Sequence, residues 1–540
     1  MERESVLTKI VIKNYRCYEN YTLDFNKGLN ILVGDNDSGK STLLEAIGLA
    51  LTGRLGGRSI VTDLSPFHFN GTVAGAYCAA LQAKQKVEPP EIVIDLFMEK
   101  SDDTAKLQGT NNALGEDSPG IRIRVYPDPD LADEFLELIQ DPTDLKLIPV
   151  EYYRVDWLGF SGNPINPRGV PATVSMIDAS TIRLQSGADY YLQQIIGSTL
   201  TKPERAELSR QYRSIREAFA AQESVNTINE KLTESHGDVS DRSLSLSIDI
   251  SQRSTWESSL APHLDELPLP YVGKGEQSRL KVLLALSRQV DDTHVMLVEE
   301  PENHLSFASL NILLEKILAK CEGKQVFITT HSSYVLNKLG LASLILMSGD
   351  QTSLRITDLS ADSEDYFKKL PGYDTLRLVL ARKVVLVEGP SDELIFQRAY
   401  RDRHHKLPIH DGVDVLSTRG LSFKRFLDLA VPLQRRAVVL RDNDGRALAD
   451  VLAGYDEYTK HGFITVRVGA DTALETLEPQ LLASNSLAVL NTVLGRTDAT
   501  DADLLKWMEA NKTSAALAIF ESATSLTMPT YITEALDDLA

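Results

Sequence analysis

Nine residues constrain this 540-residue chain more than any others: Gly34-Asp35-Asn36-Asp37-Ser38-Gly39-Lys40-Ser41-Thr42. They follow the apolar run LNILV and open the apolar-rich stretch LLEAIGLALTG, so the loop joins a strand to a helix. In such a P-loop pattern the backbone N–H groups and the helix N-terminus hold phosphate oxygens, a lysine placed like Lys40 meets the β- and γ-phosphates, and a hydroxyl placed like Ser41 takes Mg²⁺. Gly34, Asn36, Gly39, Lys40, Ser41 and Thr42 are therefore the candidate nucleotide contacts, with Ser41 also a metal ligand. The fold class that houses such a loop is α/β.

Two later runs extend the argument. Residues 295–298 (VMLV) read as a buried parallel strand that delivers Glu299 and Glu300, where a metal-linked acid and a water-activating base belong. QVFITTH repeats the logic and ends in His331, a candidate γ-phosphate sensor, although a lone histidine is by default a hydrogen-bonded structural one. Together with the opening IKNYR and the segment Gly273-Lys274-Gly275-Glu276-Gln277-Ser278, these motifs resemble, in their order, the SMC/RecF-like branch of ABC ATPases. The resemblance implies ATP as cofactor and a signature, here with Gly275 and Gln277, that contacts the γ-phosphate of an opposing site, hence a homodimer. Two features depart from that pattern: the signature is degenerate, and Glu299-Glu300 replaces an Asp-Glu pair, lengthening reach by one methylene.

A second set of acids lies toward the C-terminus. VVLV leads into Glu388-Gly389-Pro390-Ser391-Asp392, an apolar strand with a glutamate at its end and an aspartate on the helix that follows. AVVL leads into Arg441-Asp442-Asn443-Asp444-Gly445, and the two-residue spacing predicts that Asp442 and Asp444 share one side of an extended chain. Glu475 and Glu478, spaced i and i+3, form a third acidic element, and Lys512 at a helix start is a candidate to stabilise charge on a pentavalent phosphate. Like charges this close are costly unless hard divalent ions with oxygen ligands, Mg²⁺ or Mn²⁺, neutralise them.

The Glu-Gly strand end followed by Asp-x-Asp resembles the Toprim domain, with Thr418-Arg419-Gly420 at the intervening turn. An ABC ATPase joined in this order to Toprim resembles the OLD (overcoming lysogenization defect) family of nucleases over essentially the whole chain. The resemblance implies Glu388, Asp392, Asp442, Asp444, Glu475 and Glu478 as ligands of two metal ions, Lys512 as the catalytic lysine, and a third ion with ATP. It implies DNA as substrate and phage defence as setting, with room for a helicase or other defence-system partner.

The expected organisation is an ATPase part over 1–165, a mainly helical insert over 166–265 serving dimerisation, a second ATPase part over 266–380, and a Toprim domain over 381–540. Strands are expected at EIVIDLFME, IRIRVYP, LKLIPVEYYRV and SLSLSIDIS, a surface loop from Gly109 to Gly120, and helix from Asp189 to Glu234. The formal charge of −20 disfavours non-specific phosphate binding by the chain as a whole. From Ala381 onward 18 Lys+Arg face 23 Asp+Glu (−5), whereas the rest carries 38 against 53 (−15). The basic residues Arg398, Arg401, Arg403, Lys406, Lys424, Arg425, Arg435 and Arg436 read equally as a DNA track or as solvated helix faces. Cys17, Cys78 and Cys321 share no metal-ligand spacing, no run is long enough to span a membrane, and a cytoplasmic protein is expected. A non-cleaving SMC-like DNA clamp is the competing function, and a topoisomerase or primase would need domains for which little chain is left.

Overall fold

The computed structural model describes residues 7–140, 145–167, 169–178, 200–234, 256, 263–268, 271–277, 294–303, 305–320, 323–348, 353–355, 363, 375–418 and 422–539. Cα packing groups the chain into two compact units, residues 1–30 with 39–330, and residues 31–38 with 331–540.

The first unit opens with alternating sequence, which folds as β1 (Leu7–Tyr15) and β2 (Tyr18–Asp24); β3 (Leu29–Gly34), most of it grouped with the second unit, then leads to the glycine loop, and α1 (Lys40–Thr52) of the first unit follows. β4 (Ile92–Met98), β5 (Ser118–Pro127) and β6 (Tyr153–Gly159) join the first two strands in an antiparallel sheet ordered β2-β1-β4-β5-β6. Asp95, wholly buried, faces Arg122 across β4 and β5, and two charge-assisted bonds of 2.6 Å hold the pair. The strand expected over LKLIPVEYYRV begins only at Tyr153, because a 3-10 turn at Val150–Tyr152 precedes it. The Gly109 to Gly120 stretch is more than a surface loop: buried Asn112 accepts from the N–H groups of Leu114 and Glu116 and so shapes it.

A second, parallel set of strands in this unit is β7 (Val174–Asp178), β8 (Val295–Glu299) and β9 (Gln325–Thr329), with β8 between the other two. Covered on both faces, β8 reads VMLV because every position is interior. α1 packs on β8, and Gly48 of α1 lies where an added Cβ would stand 3.7 Å from Leu297 Cδ1. The insert contributes α2 (Lys202–Ala220), begun by a reciprocal Thr201–Glu204 cap with Pro203 in the first turn, and α3 (Glu223–Glu234). Ile215, Phe219 and Ile228 on these helices are exposed. The helical stretch expected before residue 200, the strand SLSLSIDIS and Cys321 lie outside the described residues.

In the second unit β3 pairs in parallel with β10 (Leu344–Met347), which pairs antiparallel with β11 (Ser353–Arg355). The chain then winds a four-stranded, wholly parallel sheet from β12 (Lys383–Val387), β13 (Val413–Ser417), β14 (Arg436–Arg441) and β15 (Ile464–Val468), ordered β13-β12-β14-β15. Helices α4 (Pro390–His404) and α5 (Phe423–Ala430) connect the strands, and α6 (Leu477–Ser484), α7 (Lys512–Glu521) and α8 (Thr530–Asp538) complete the unit. Its core takes Val385, Val387, Phe396, Val438, Leu440, Leu481, Ile519 and Tyr531. Among the described residues no helix is long and apolar enough to cross a membrane.

Candidate functional site

The glycine loop has the expected local setting, a strand before it and α1 after it. Gly39, at φ +92°, caps α1; a Cβ there would stand 2.5 Å from the Tyr18 hydroxyl, which donates to the Gly39 carbonyl. At Gly34 a Cβ would stand 2.3 Å from the Met347 carbonyl oxygen, so β10 leaves room only for glycine. Lys40 is buried at the start of α1, whereas Asn36 and Ser41 are exposed and Thr42 is half-buried.

Glu299 ends β8. Glu300 adopts φ +42°, rare for a side chain of this size, and its N–H is held by the carbonyl and hydroxyl oxygens of Thr329. Asn303 donates to the Glu300 carboxylate at 2.6 Å. Gly275 lies in a helical turn whose last described residue, Gln277, is buried and donates to the Val272 carbonyl. The signature's Ser278 lies outside the described residues. His331 is exposed, just before Ser332, which caps the helix Ser333–Leu339.

The C-terminal acids are organised by the parallel sheet. Chain order 2-1-3-4 across the sheet makes the gap between β12 and β14 a switch point, where connections leave in opposite directions and a crevice opens beyond the strand ends. Glu388 follows β12 and Asp442 follows β14 at that edge, and the Asp442 N–H donates to Glu388 Oε1 at 3.1 Å. Asp392, in the first turn of α4, accepts from the Gly389 N–H at 3.0 Å. Glu478, in the first turn of α6 and only 3% exposed, receives Lys512 Nζ at 2.9 Å and the Thr476 hydroxyl at 3.0 Å. Thr418 closes β13 with its hydroxyl on the Val387 carbonyl, while Arg419 and Gly420 lie outside the described residues.

Asp442 and Asp444 do not share one side of an extended chain, as their spacing predicts. The strand stops at Arg441, Asn443 is wholly buried, and Asp444 turns out at φ +50°. Asp444 is exposed and paired with Arg441 at 2.9 Å and Arg446 at 3.8 Å. Glu475 is exposed beside it, its carbonyl accepting the Asp444 N–H. The structure thus gathers Glu388, Asp392, Asp442, Glu478 and Lys512, with Asp444 and Glu475 on the rim.

Electrostatics reflect that gathering. Burial, then Asp392, Glu388 and Glu478, push the Asp442 carboxyl up to about 8 against the pull of Lys512. Burial raises Asp392 to about 6 and outweighs the Gly389 N–H, with Glu388 adding to the rise. Glu388 is also raised, by burial, against the Asp442 N–H and Arg441. For Lys512, the Glu478 carboxylate outweighs burial and holds the ammonium above its ordinary value. Among the described residues no three Asp, Glu, His or Cys side chains form a ready metal cage. Cations of the chain stand against the acids instead, Lys512 on Glu478 and Arg441 on Asp444. An all-carboxylate donor set under mutual repulsion nonetheless suits hard divalent ions.

Three residues here carry no sequence signal of their own. Arg441 spans the Asp442 carbonyl, Asp444 and the Tyr455 hydroxyl. Tyr531 is a core phenol whose ionisation is opposed by burial and by Asp442, Asp392, Glu388 and Glu478. Asn443 is the third. Most of the basic residues that could read as a DNA track or as solvated helix faces have partners within the chain. Arg398 is buried and donates to the carbonyls of Ile519, Ser522 and Thr524; Arg401 donates to the Phe520 carbonyl; Arg403 pairs with Asp537 and Lys406 with Asp411. Arg435 donates to the Val379 carbonyl and Arg425 to Ser363, while Lys424 is exposed over the Tyr455 ring.

Three stretches of the chain match models of known families. Residues 9–118 match a family model described as an AAA domain. Residues 178–337 match a second AAA-domain model, whose description refers to the AbiEii toxin of a type IV toxin–antitoxin system. Residues 379–444 match the Overcoming lysogenization defect protein-like TOPRIM domain. Fold and site therefore define an α/β ATPase joined to a Toprim domain. In that order of parts the chain is similar to OLD-family ATPase–Toprim proteins. Endonuclease GajA of Bacillus cereus is 22% identical over 476 residues, spanning 81% of this chain and 75% of its own. The DNA replication and repair protein RecF of Acetivibrio thermocellus is 32% identical over 82 residues, 15% of this chain and 22% of that one. The solved C-terminal region of the Burkholderia pseudomallei OLD protein is 24% identical, covering 29% of this chain and 97% of its own at a TM-score of 0.24.

Proposed function

We propose that the chain is an ATP-binding, metal-dependent DNA endonuclease acting in antiviral defence. One observation carries the reading: four buried or half-buried carboxylates from three distant segments, with Lys512 among them, meet at the switch point of a parallel sheet. A similarity to Endonuclease GajA supports it.

Glu388, Asp392, Asp442 and Glu478, with Asp444 and Glu475 from the rim, would hold two Mg²⁺ or Mn²⁺ ions. Such ions supply an activated water and charge neutralisation at the leaving oxygen. The protein's part is to fix the carboxylates, keep the crevice partly dry, and offer Lys512 to phosphate charge once it is drawn off Glu478. Lys40, Ser41 and Thr42 would hold ATP with a third ion, and Glu299, Glu300 and His331 would sense or hydrolyse it. Gly275 and Gln277 would act in a homodimer, with 166–265 as the dimerisation insert and nucleotide state gating access to the cutting site.

The test is plasmid nicking with metal and nucleotide varied independently, using wild type, Asp442→Ala and Lys40→Ala. Metal-dependent nicking lost in Asp442→Ala supports the nuclease. No nicking under any condition, with DNA binding intact, would favour a clamp.

A further inference from the structure

The two acidic arms of the site are joined through one amide. Asn443 has no exposed surface, and its Nδ2 donates to the carbonyls of Gly469 (3.1 Å), Asp471 (2.8 Å) and Leu474 (3.3 Å). Its Oδ1 accepts the Gly445 N–H at 2.8 Å. The first three bonds tie down the loop that carries Glu475 and leads into α6 with Glu478. The fourth closes the turn that sets Asp442 inward and Asp444 outward. Neighbouring contacts run the same way: the Asp444 N–H reaches the Glu475 carbonyl at 3.3 Å, and at Gly445, φ +73°, a Cβ would stand 3.1 Å from Glu475 Oε1. At Gly469 a Cβ would stand 2.4 Å from the buried Gln480 amide, so that end of the loop is packed as tightly.

We infer that Asn443 is a positioning residue that fixes the Asp442–Asp444 arm against the Glu475–Glu478 arm and thereby sets the affinity of the carboxylate site for divalent cations. The inference rests on the proposed nuclease reading. A side chain that only filled space would not need its polar atoms, whereas here both ends of the amide are spent on the backbone of the two arms. Aspartate has the same shape but loses the donor, leaving three carbonyls facing an oxygen and forcing the loop away.

The experiment is calorimetric titration of the full chain with Mn²⁺ alone, alongside thermal melting, for wild type, Asn443→Asp, Asn443→Ala, Asp442→Asn and the control Asn485→Ala. Asn485 is another backbone-binding amide of the same unit, bonded to the carbonyls of Leu481 and Thr527. Outer partners of metal ligands typically govern affinity by about 10–100-fold. The expected result is Mn²⁺ affinity lowered by that factor in both Asn443 variants, unchanged in Asn485→Ala, with cleavage recovering at saturating Mn²⁺. Asn443 variants that bind Mn²⁺ like wild type, whatever their melting temperature, overturn the positioning role and leave the nuclease reading standing. Wild type and Asp442→Asn alike binding no Mn²⁺ overturns both. Should Asn443→Asp fail to fold, Asn443→Ala alone decides.

Discussion

The glycine loop and the carboxylate crevice both lie at strand ends, yet they are built in opposite ways. The loop is contiguous: nine residues supply backbone N–H groups, a lysine and hydroxyls, and glycines are enforced by close neighbours such as Tyr18 and Met347. The crevice is distributed, with acids from after β12, from α4, from after β14 and from α6, and a lysine from α7. Damage to the loop is therefore local, whereas the crevice stores repulsion among groups that the fold holds together against their preference.

The sharpest way to break the comparison is Asp442→Asn, which removes the most central acid. Cleavage in Mn²⁺ is expected to fall by on the order of 10³-fold in a plasmid assay, since this group would hold metal against the reacting phosphate. Cleavage within tenfold of wild type would remove the crevice from the chemistry. Next is Arg398→Ala, which leaves the buried carbonyls of Ile519, Ser522 and Thr524 without their donor. A loss of about 3 kcal/mol in denaturant unfolding is expected, with no change in the salt dependence of DNA binding. A shallower salt slope would restore Arg398 to a DNA track.

Smaller effects sharpen the contrast. Lys40→Ala should weaken ATP binding by about 10–100-fold, as for loss of one charged hydrogen bond, and abolish any effect of nucleotide on cleavage while sparing cleavage itself. Identical nucleotide response in the variant would dissolve the proposed gating. Last is pH. Asp442, raised to about 8, and Asp392, raised to about 6, titrate in the unfolded chain near 4. The fold favours their protonated forms, so stability of the metal-free protein is complete below about pH 4 and declines as pH rises through 6 and 8. A progressive loss of stability over that range is expected by calorimetric melting, smaller in Asp442→Asn and reversed by Mn²⁺. A flat pH profile without metal would mean that neither burial nor mutual repulsion raises these acids.

The contiguous region was legible because its whole specification lies in nine letters. The strand ends at Glu299, Glu388 and Asp442 were legible too, since buried parallel strands read as apolar runs and the acid at their end stands out. What the letters could not give was the turn at Asn443. Period-two alternation places Asp442 and Asp444 together only while the chain stays extended, and a buried asparagine bonded to a loop some thirty residues on ends that extension. The basic residues left their role open for a related reason: a positive charge in sequence does not reveal whether backbone carbonyls, as around Arg398, already claim it.

The scatter of the crevice along the chain also bears on synthesis. Its acids and lysine run from Glu388 to Lys512, so a ribosome must deliver all of that stretch before the crevice closes. A growing polypeptide would therefore hold the whole glycine loop well before it held the assembled set of acids and lysine.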